Sequence, residues 1–290
     1  MNLVCIQEHN LDPLLHELYM RYAIECHMHL VIGYSKTTAH RGGTLIISDE
    51  KTIPHLEDLH KEASMVVARY SFNGKNMDIA SVYAPSDSSK RLDFFSHMNQ
   101  HLTRYTLVGG DWNCVPDVTT DVKGKNALNY KNYGAALLGK KMAEKGLSDY
   151  RRQQLGNKFE RTRKPWEIDT MKVMTRLDRW YIPSHEKFEK YLWDINVRPD
   201  LVWQEVPGDH LPVILTVEPM KGERGHQRPN LREDLCENPY HQNIIRQILH
   251  GNYRPDRENT KTLVQKWKKT HGRRASSGSR LASVAVRLLG

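Results

Sequence analysis

The run Thr106-Leu107-Val108-Gly109-Gly110-Asp111-Trp112-Asn113 limits this chain more than any other stretch. Three residues of strand character lead into a Gly-Gly pair that frees the backbone, and a carboxylate and a carboxamide follow one residue apart. Along an extended segment, residues i and i+2 face the same side. Asp111 and Asn113 are therefore expected in one cleft, with Trp112 packed away from it. A carboxylate beside an amide suits a hydrated hard cation or a phosphoryl oxygen better than a core. A polar turn after a strand has the same local pattern, so the run alone leaves both readings open.

Around it the chain reads as many short strands with a few helices. Residues 2–7 are strand-like, and Pro13 to Tyr22 carries Leu14, Leu15, Leu18 and Tyr22 at helical spacing. Thr44 to Ser48 follows an Arg-Gly-Gly turn. Met65 to Ser71 and Met77 to Tyr83 flank Asn73-Gly74, a hairpin signal. Ser88 to Tyr105 reads as a helix with Leu92, Phe95, Met98 and Leu102 on one stripe, and Asn132 to Lys145 as another, stopped by Gly146. Residues 114–130 look loop-like. Phe159 to Trp166 and Val173 to Ile182 fit a strand pair, and Leu201 to Val206 and Pro212 to Val217 complete the set. This alternation predicts an α+β chain with two sheets packed face to face and helices outside.

The 290 residues are long enough for one large core. No stretch approaches the roughly 18 apolar residues of a membrane span, and no secretory leader follows Met1. Four scattered cysteines (Cys5, Cys26, Cys114, Cys236) lack metal spacing and fit buried thiols in a reducing compartment, hence an intracellular protein, nuclear or cytoplasmic. The net charge of +9 is uneven: residues 1–220 hold 28 basic and 28 acidic side chains, residues 221–290 hold 15 and 6. Within the neutral part, residues 151–179 carry nine basic groups against four acidic ones. A basic strip beside a carboxylate cleft fits a protein that grips a polyanion while bound cations assist its cleavage, although a solvated face has the same composition. The chain divides into a domain over 1–218 and a basic tail over 219–290, with patches of weak helix (Tyr240 to His250, Lys261 to Lys269) and an Arg/Ser/Gly-rich end.

Four further segments share the style of the first. Leu3-Val4-Cys5-Ile6-Gln7-Glu8 is a strand closing on Gln-Glu, and Ser81-Val82-Tyr83-Ala84-Pro85 a strand closing on Tyr. Arg176-Leu177-Asp178-Arg179-Trp180-Tyr181 has an Asp inside an apolar strand, and Gly208-Asp209-His210 precedes the run Leu211 to Val217. A buried Asp178 needs a partner; an imidazole and the neighbouring Arg176 or Arg179 both qualify. With the Asp111 run, these motifs resemble, in order and spacing, the endonuclease/exonuclease/phosphatase superfamily over about residues 1 to 218. Gly-Gly-Asp-Trp-Asn-Cys and Arg-Leu-Asp-Arg-Trp-Tyr look most like the endonuclease domain of non-LTR retrotransposon polyproteins.

That resemblance implies a four-layer α/β/β/α sandwich of two mixed sheets and hydrolysis of phosphodiester bonds with Mg²⁺, for which Mn²⁺ substitutes. It implies a DNA-nicking endonuclease acting as a monomer on DNA, with the element's RNA as a further partner and no membrane. Carried onto this sequence, Tyr83, Asp111, Asn113, Asp178 and His210 are catalytic. Glu8, Asp111, Asn113, Asp209 and His210 surround the metal. Asp178 steadies His210, Asp111 orients or deprotonates the water, and Asn113 and Tyr83 hold the phosphate. Arg176, Arg179 and Trp180 are the candidate DNA contacts; Trp166 and Tyr181 beside the basic strip could also stack on or wedge into DNA, but for all three aromatics core packing is the favoured reading. Members of the superfamily begin with an earlier strand ending in Asn, for which seven residues before Glu8 leave no room. An N-terminally truncated copy is thus expected, lacking the first family strand, with an open strand edge, an apolar gap and impaired activity. A catalytically defective nucleic-acid-binding remnant and a host apurinic repair endonuclease are the alternatives. Inositol-phosphate and phospholipid phosphatases fit less well, because Cys114-Val115-Pro116-Asp117 stands where they carry an Arg-rich extension.

Overall fold

The computed structural model describes residues 3–35, 42–50, 53, 55–72, 75–125, 127–163, 173–185, 188, 191–199, 209–219 and 282–288. The first seven strands are β1 (Leu3–Gln7), β2 (Met28–Gly33), β3 (Thr44–Asp49), β4 (Leu56–Glu62), β5 (Met65–Phe72), β6 (Lys75–Tyr83) and β7 (Thr106–Asp111). After them come β8 (Val122–Gly124), β9 (Leu147–Asp149), β10 (Val173–Thr175), β11 (Asp178–Pro183), β12 (Tyr191–Val197), β13 (Val213–Pro219) and β14 (Ala282–Leu288). The helices are α1 (His16–Glu25), α2 (Ser88–Met98), α3 (Val118–Asp121), α4 (Ala135–Glu144) and α5 (Tyr150–Leu155). No described helix is long and apolar enough to cross a membrane.

Among the described residues two six-stranded sheets form, in the orders β12-β13-β14-β1-β3-β2 and β4-β5-β6-β7-β11-β9. Alternation along their strands sends one face of each inward. Leu3, Cys5, Ile46, Val213 and Leu215 of the first sheet meet Val66, Ala68, Ile79, Leu107 and Trp180 of the second in one buried cluster. The opposite face of the first sheet packs Val4, Ile6 and Leu45 on Tyr19, Tyr22 and Ala23 of α1. That of the second packs Val67, Ala80 and Val108 on Phe95 and Met98 of α2 and Leu138 and Met142 of α4. The result is the α/β/β/α sandwich.

Several sequence expectations are corrected. On α2 the buried stripe is Arg91, Phe95 and Met98, and Leu92 lies 41% exposed. Val173 to Ile182 is two strands, because Arg176 and Leu177 break the run: β10 pairs with β8 in a separate ribbon and β11 with β7. Residues 159–163 contribute only isolated bridges at Arg163, to Thr175 and His210. Leu201 to Val206, Tyr240 to His250 and Lys261 to Lys269 lie outside the described residues.

The open edge expected beside β1 is not there. β14 lies between β1, antiparallel with Gln7 opposite Ala282, and β13, parallel with Val213 opposite Val284. A strand inside a sheet satisfies its N–H and C=O groups on both sides, so β14 closes the ladder that β1 and β13 leave open. Part of the segment read as tail thus belongs to the first sheet.

Candidate active site

The second sheet aligns the site. β6 and β7 run parallel with Tyr83 opposite Asp111, and β11 runs antiparallel to β7 with Asp178 opposite Asp111. Tyr83, Asp111 and Asp178 therefore form one row across three neighbouring strands. The Gly-Gly before Asp111 serves close packing. A Cβ on Gly109 would lie 2.6 Å from the Trp180 ring, and one on Gly110 would lie 1.9 Å from the Val82 carbonyl oxygen. From the first sheet, the residue after β1 reaches the same row, where Tyr83 O–H donates to Glu8 Oε1. Glu8 and Asn113 hold left-handed backbone at φ 54° and 48°, a conformation that costs a non-glycine residue roughly 1 kcal/mol or more.

His210 completes the group. Its Nδ1 lies 2.8 Å from Asp178 Oδ2, and its Nε2 3.9 Å from both Asp111 Oδ2 and Asp209 Oδ1. Burial disfavours the imidazolium, but the Asp178 and Asp111 carboxylates outweigh that and raise its pKa to about 10. Burial likewise lifts Asp111 to about 7, a shift that the charge of His210 opposes and that of Asp178 reinforces. The site thus couples a charged imidazole to a carboxyl that takes up and releases protons near neutrality.

The donor set fits a divalent cation. One ligand atom each from Asp111, Asp178 and His210 lie within 4.8 Å of one another. Asp209 Oδ1 is buried with no hydrogen-bond partner in the structure. Carboxylate oxygens so confined are hard ligands of the kind Mg²⁺ and Mn²⁺ take. A charged imidazole has no lone pair to give a metal, so within this group the carboxylate oxygens are the available ligands.

The architecture has clear counterparts among solved structures. The AP endonuclease LMAP from Leishmania major superposes with a TM-score of 0.58 at 14% identity, over 72% of this chain and 76% of that one. The 3′ phosphatase NExo from Neisseria, bound to a product DNA hairpin, gives 0.54 at 16% identity, over 72% and 86%. The chain has the endonuclease/exonuclease/phosphatase fold. The endonuclease domain of TRAS1, a telomere-specific non-LTR retrotransposon, aligns at 0.44 and 14% identity over 70% of this chain and 91% of that one. No family model matches the sequence, and no curated protein does.

Within that fold, the expected DNA contacts turn out to be interior. Arg176 and Arg179 are each 1% exposed and Trp180 is fully buried. Arg176 donates through Nε to Asp121 and through Nη2 to Asp149, both at 2.6 Å. Arg179 Nη1 donates to the Cys114 and Arg176 carbonyls. The basic residues flanking Asp178 therefore stitch β7, β9 and β11 together, and Asp178 takes His210 as its partner. Tyr181 is buried against Trp112; Trp166 lies outside the described residues. Asn113 also differs in detail. Asp111 Oδ1 accepts from its backbone N–H, while its side-chain amide donates to the Ala84 carbonyl at 2.7 Å and, more weakly, to Asp111 Oδ2. The amide holds the loop around Asp111 instead of pointing both hydrogens into the cleft.

Three supporting residues of this endonuclease/exonuclease/phosphatase fold escaped the sequence reading. Thr162 Oγ1 accepts from Asp178 N–H at 2.9 Å, and its carbonyl accepts from Leu211 N–H. Arg163 Nε donates to Asp209 Oδ2 at 2.7 Å. Arg91 donates to the carbonyls of Asn113, Pro85, Ser86 and Tyr133, clamping the loops after β6 and β7. Only Arg91 left a trace in sequence, a charged residue four positions before Phe95 on an apolar face.

Proposed function

We propose that this chain is a divalent-metal-dependent phosphodiesterase that nicks DNA. The observation that carries the reading is the convergence of Asp111, Asp178 and His210, drawn from two neighbouring strands and the segment before β13 and buried together. Structural stability alone gives no reason to bury three carboxylates around one imidazole. A phosphate group and a cation do.

Asp111, with Glu8 held by Tyr83, would hold the cation, which supplies Lewis acidity and charge neutralisation at the scissile phosphate. Water attacks phosphorus as Asp111 takes its proton. The new bond joins the water oxygen to phosphorus, and the bond from phosphorus to O3′ breaks. The 3′ oxygen is protonated from solvent, and the phosphate stays on the 5′ end. The imidazolium of His210, fixed by Asp178, neutralises charge gathering on the non-bridging oxygens. Cleavage that leaves a free 3′-hydroxyl is the chemistry a reverse transcriptase needs as primer, and the motif style of Gly109 to Cys114 favours that retrotransposon role.

The test is nicking of supercoiled plasmid in Mg²⁺, then extension of the nick by a DNA polymerase. Extendable ends from an undamaged plasmid, abolished by EDTA and restored by Mg²⁺ or Mn²⁺, support target-site cleavage. Cleavage confined to a duplex with an abasic site points to repair. Nicking undiminished in EDTA defeats the metal-dependent reading.

A further inference from the structure

Arg163 is more exposed than the arginines that flank Asp178: its side chain is 18% exposed, against 1% for Arg176 and 0% for Arg179, whose own unpaired Nε and Nη2 are sealed in the interior. Arg176 directs Nε, Nη1 and Nη2 to two carboxylates, and Arg91 spends Nε and Nη1 on four carbonyls. Arg163 uses only Nε, on Asp209 Oδ2, and among the described residues its Nη groups have no hydrogen-bond partner. Its side chain is 18% exposed, against 3% for Asp209. Its backbone is fixed, bridging Thr175 on one side and His210 on the other. A cation pinned through Nε, its outer edge unpaired among the described residues, thus stands beside a buried carboxylate cluster.

We propose that Arg163 is a phosphate-binding residue of the cleft, its Nη edge gripping non-bridging oxygens of the DNA backbone while Asp209 holds the fork in place. This rests on the reading of the chain as a DNA phosphodiesterase and adds to it a specific anion contact. The carboxylates of Asp111, Asp178 and Asp209 repel an incoming polyanion, and a planar guanidinium meets two phosphate oxygens at once where a lysine offers a single point charge. Asp209 thereby becomes a positioning residue for Arg163, since the ion pair occupies its Oδ2.

The test compares the full chain with Arg163→Gln and Arg163→Lys. Binding of a 20-base-pair duplex is measured in EDTA at rising salt, and nicking kinetics are measured in Mg²⁺. Arg163→Gln is expected to bind at least tenfold more weakly, with the slope of log K against log salt smaller by about 0.9, one phosphate contact. Arg163→Lys is expected to restore the slope but to keep a raised KM, because the fork is lost. The double variant Arg163→Gln/Asp209→Asn removes the orphaned carboxylate and must show the same loss of slope if the single variant fails to fold. A wild-type slope in the glutamine variants overturns the proposal, and so does a wild-type chain that binds no DNA in EDTA. A wild-type chain that binds DNA but never nicks it defeats the phosphodiesterase reading, while the slopes still decide the role of Arg163.

Discussion

His210 Nδ1 meets Asp178 Oδ2 at 2.8 Å, joining the segment before β13 to the first residue of β11 and so locking the two sheets together at the site. The contact also sets the charge of the imidazole. Asp178→Asn keeps the shape and removes the charge. In that variant the titration of His210, about 10 in the parent, is expected to fall by at least one unit in a ¹⁵N NMR titration. Nicking should slow by about 10²- to 10⁴-fold, the usual contribution of a positioned acid–base group. An unchanged titration would separate Asp178 from the role given to it.

His9 predicts a pH dependence of stability. Its Nδ1 accepts from Leu11 N–H at 2.9 Å and its Nε2–H donates to the Gly33 carbonyl at 3.1 Å, so the buried ring is neutral. Burial lowers its pKa from 6.5 to about 4, against the pull of the Gly33 bond. The unfolded ring takes its proton near 6.5 and the folded ring only near 4. Stability is therefore complete above 6.5 and declines as pH falls through that window, by roughly 3 kcal/mol at about 1.36 kcal/mol per unit. Urea unfolding across pH 4 to 7 should show this slope in the parent and a shallower one in His9→Gln. Equal slopes would mean that His9 is not the group responsible.

Arg176 is expected to matter to folding and not to DNA. Arg176→Met leaves Asp149 with only the 3.9 Å approach of Arg179 and Asp121 with Arg152 alone, and should cost about 3 kcal/mol in urea unfolding. The salt dependence of DNA binding should stay as in the parent. A reduced salt slope with full stability would return Arg176 to the DNA surface.

Removing residues 220–290 takes β14 out of the first sheet. The amides of β1 that face it should then exchange hydrogen within seconds to minutes, while those of β7 and β11 remain protected. Hydrogen-exchange mass spectrometry reads both peptides. Protection of β1 equal to that of the full chain would show that β14 contributes little to the ladder.

The layers of this fold were legible because they rest on a local pattern. Apolar alternation marks the strands, whereas Glu8, Tyr83, Asp111 and Asp178, the last read as lying inside a strand and found at the start of β11, were joined into one cleft by the resemblance of their motifs to a known superfamily. What escaped depends on contacts between distant segments. Arg163 and Asp209 are 46 residues apart, and nothing in either neighbourhood announces the pair. Arg176 and Arg179 looked like surface charges because, of the carboxylates that neutralise them, Asp121 sits in a segment read as loop and Asp149 beyond the Gly146 helix stop, in a stretch given no element. Ala282 to Leu288 has the alternation of a strand, but the Arg/Ser/Gly-rich residues before it dominate the composition, and the vacancy between β1 and β13 exists only in three dimensions.

The imidazole of His210, held among buried carboxylates, is expected to act on a DNA phosphate. Nicking of supercoiled plasmid in Mg²⁺ by the parent and by His210→Ala, with duplex binding measured in EDTA for both, tests it most directly. The alanine variant is expected to bind DNA with the parent's salt dependence and to nick at least about a hundredfold more slowly. Equal nicking by the two proteins would contradict it.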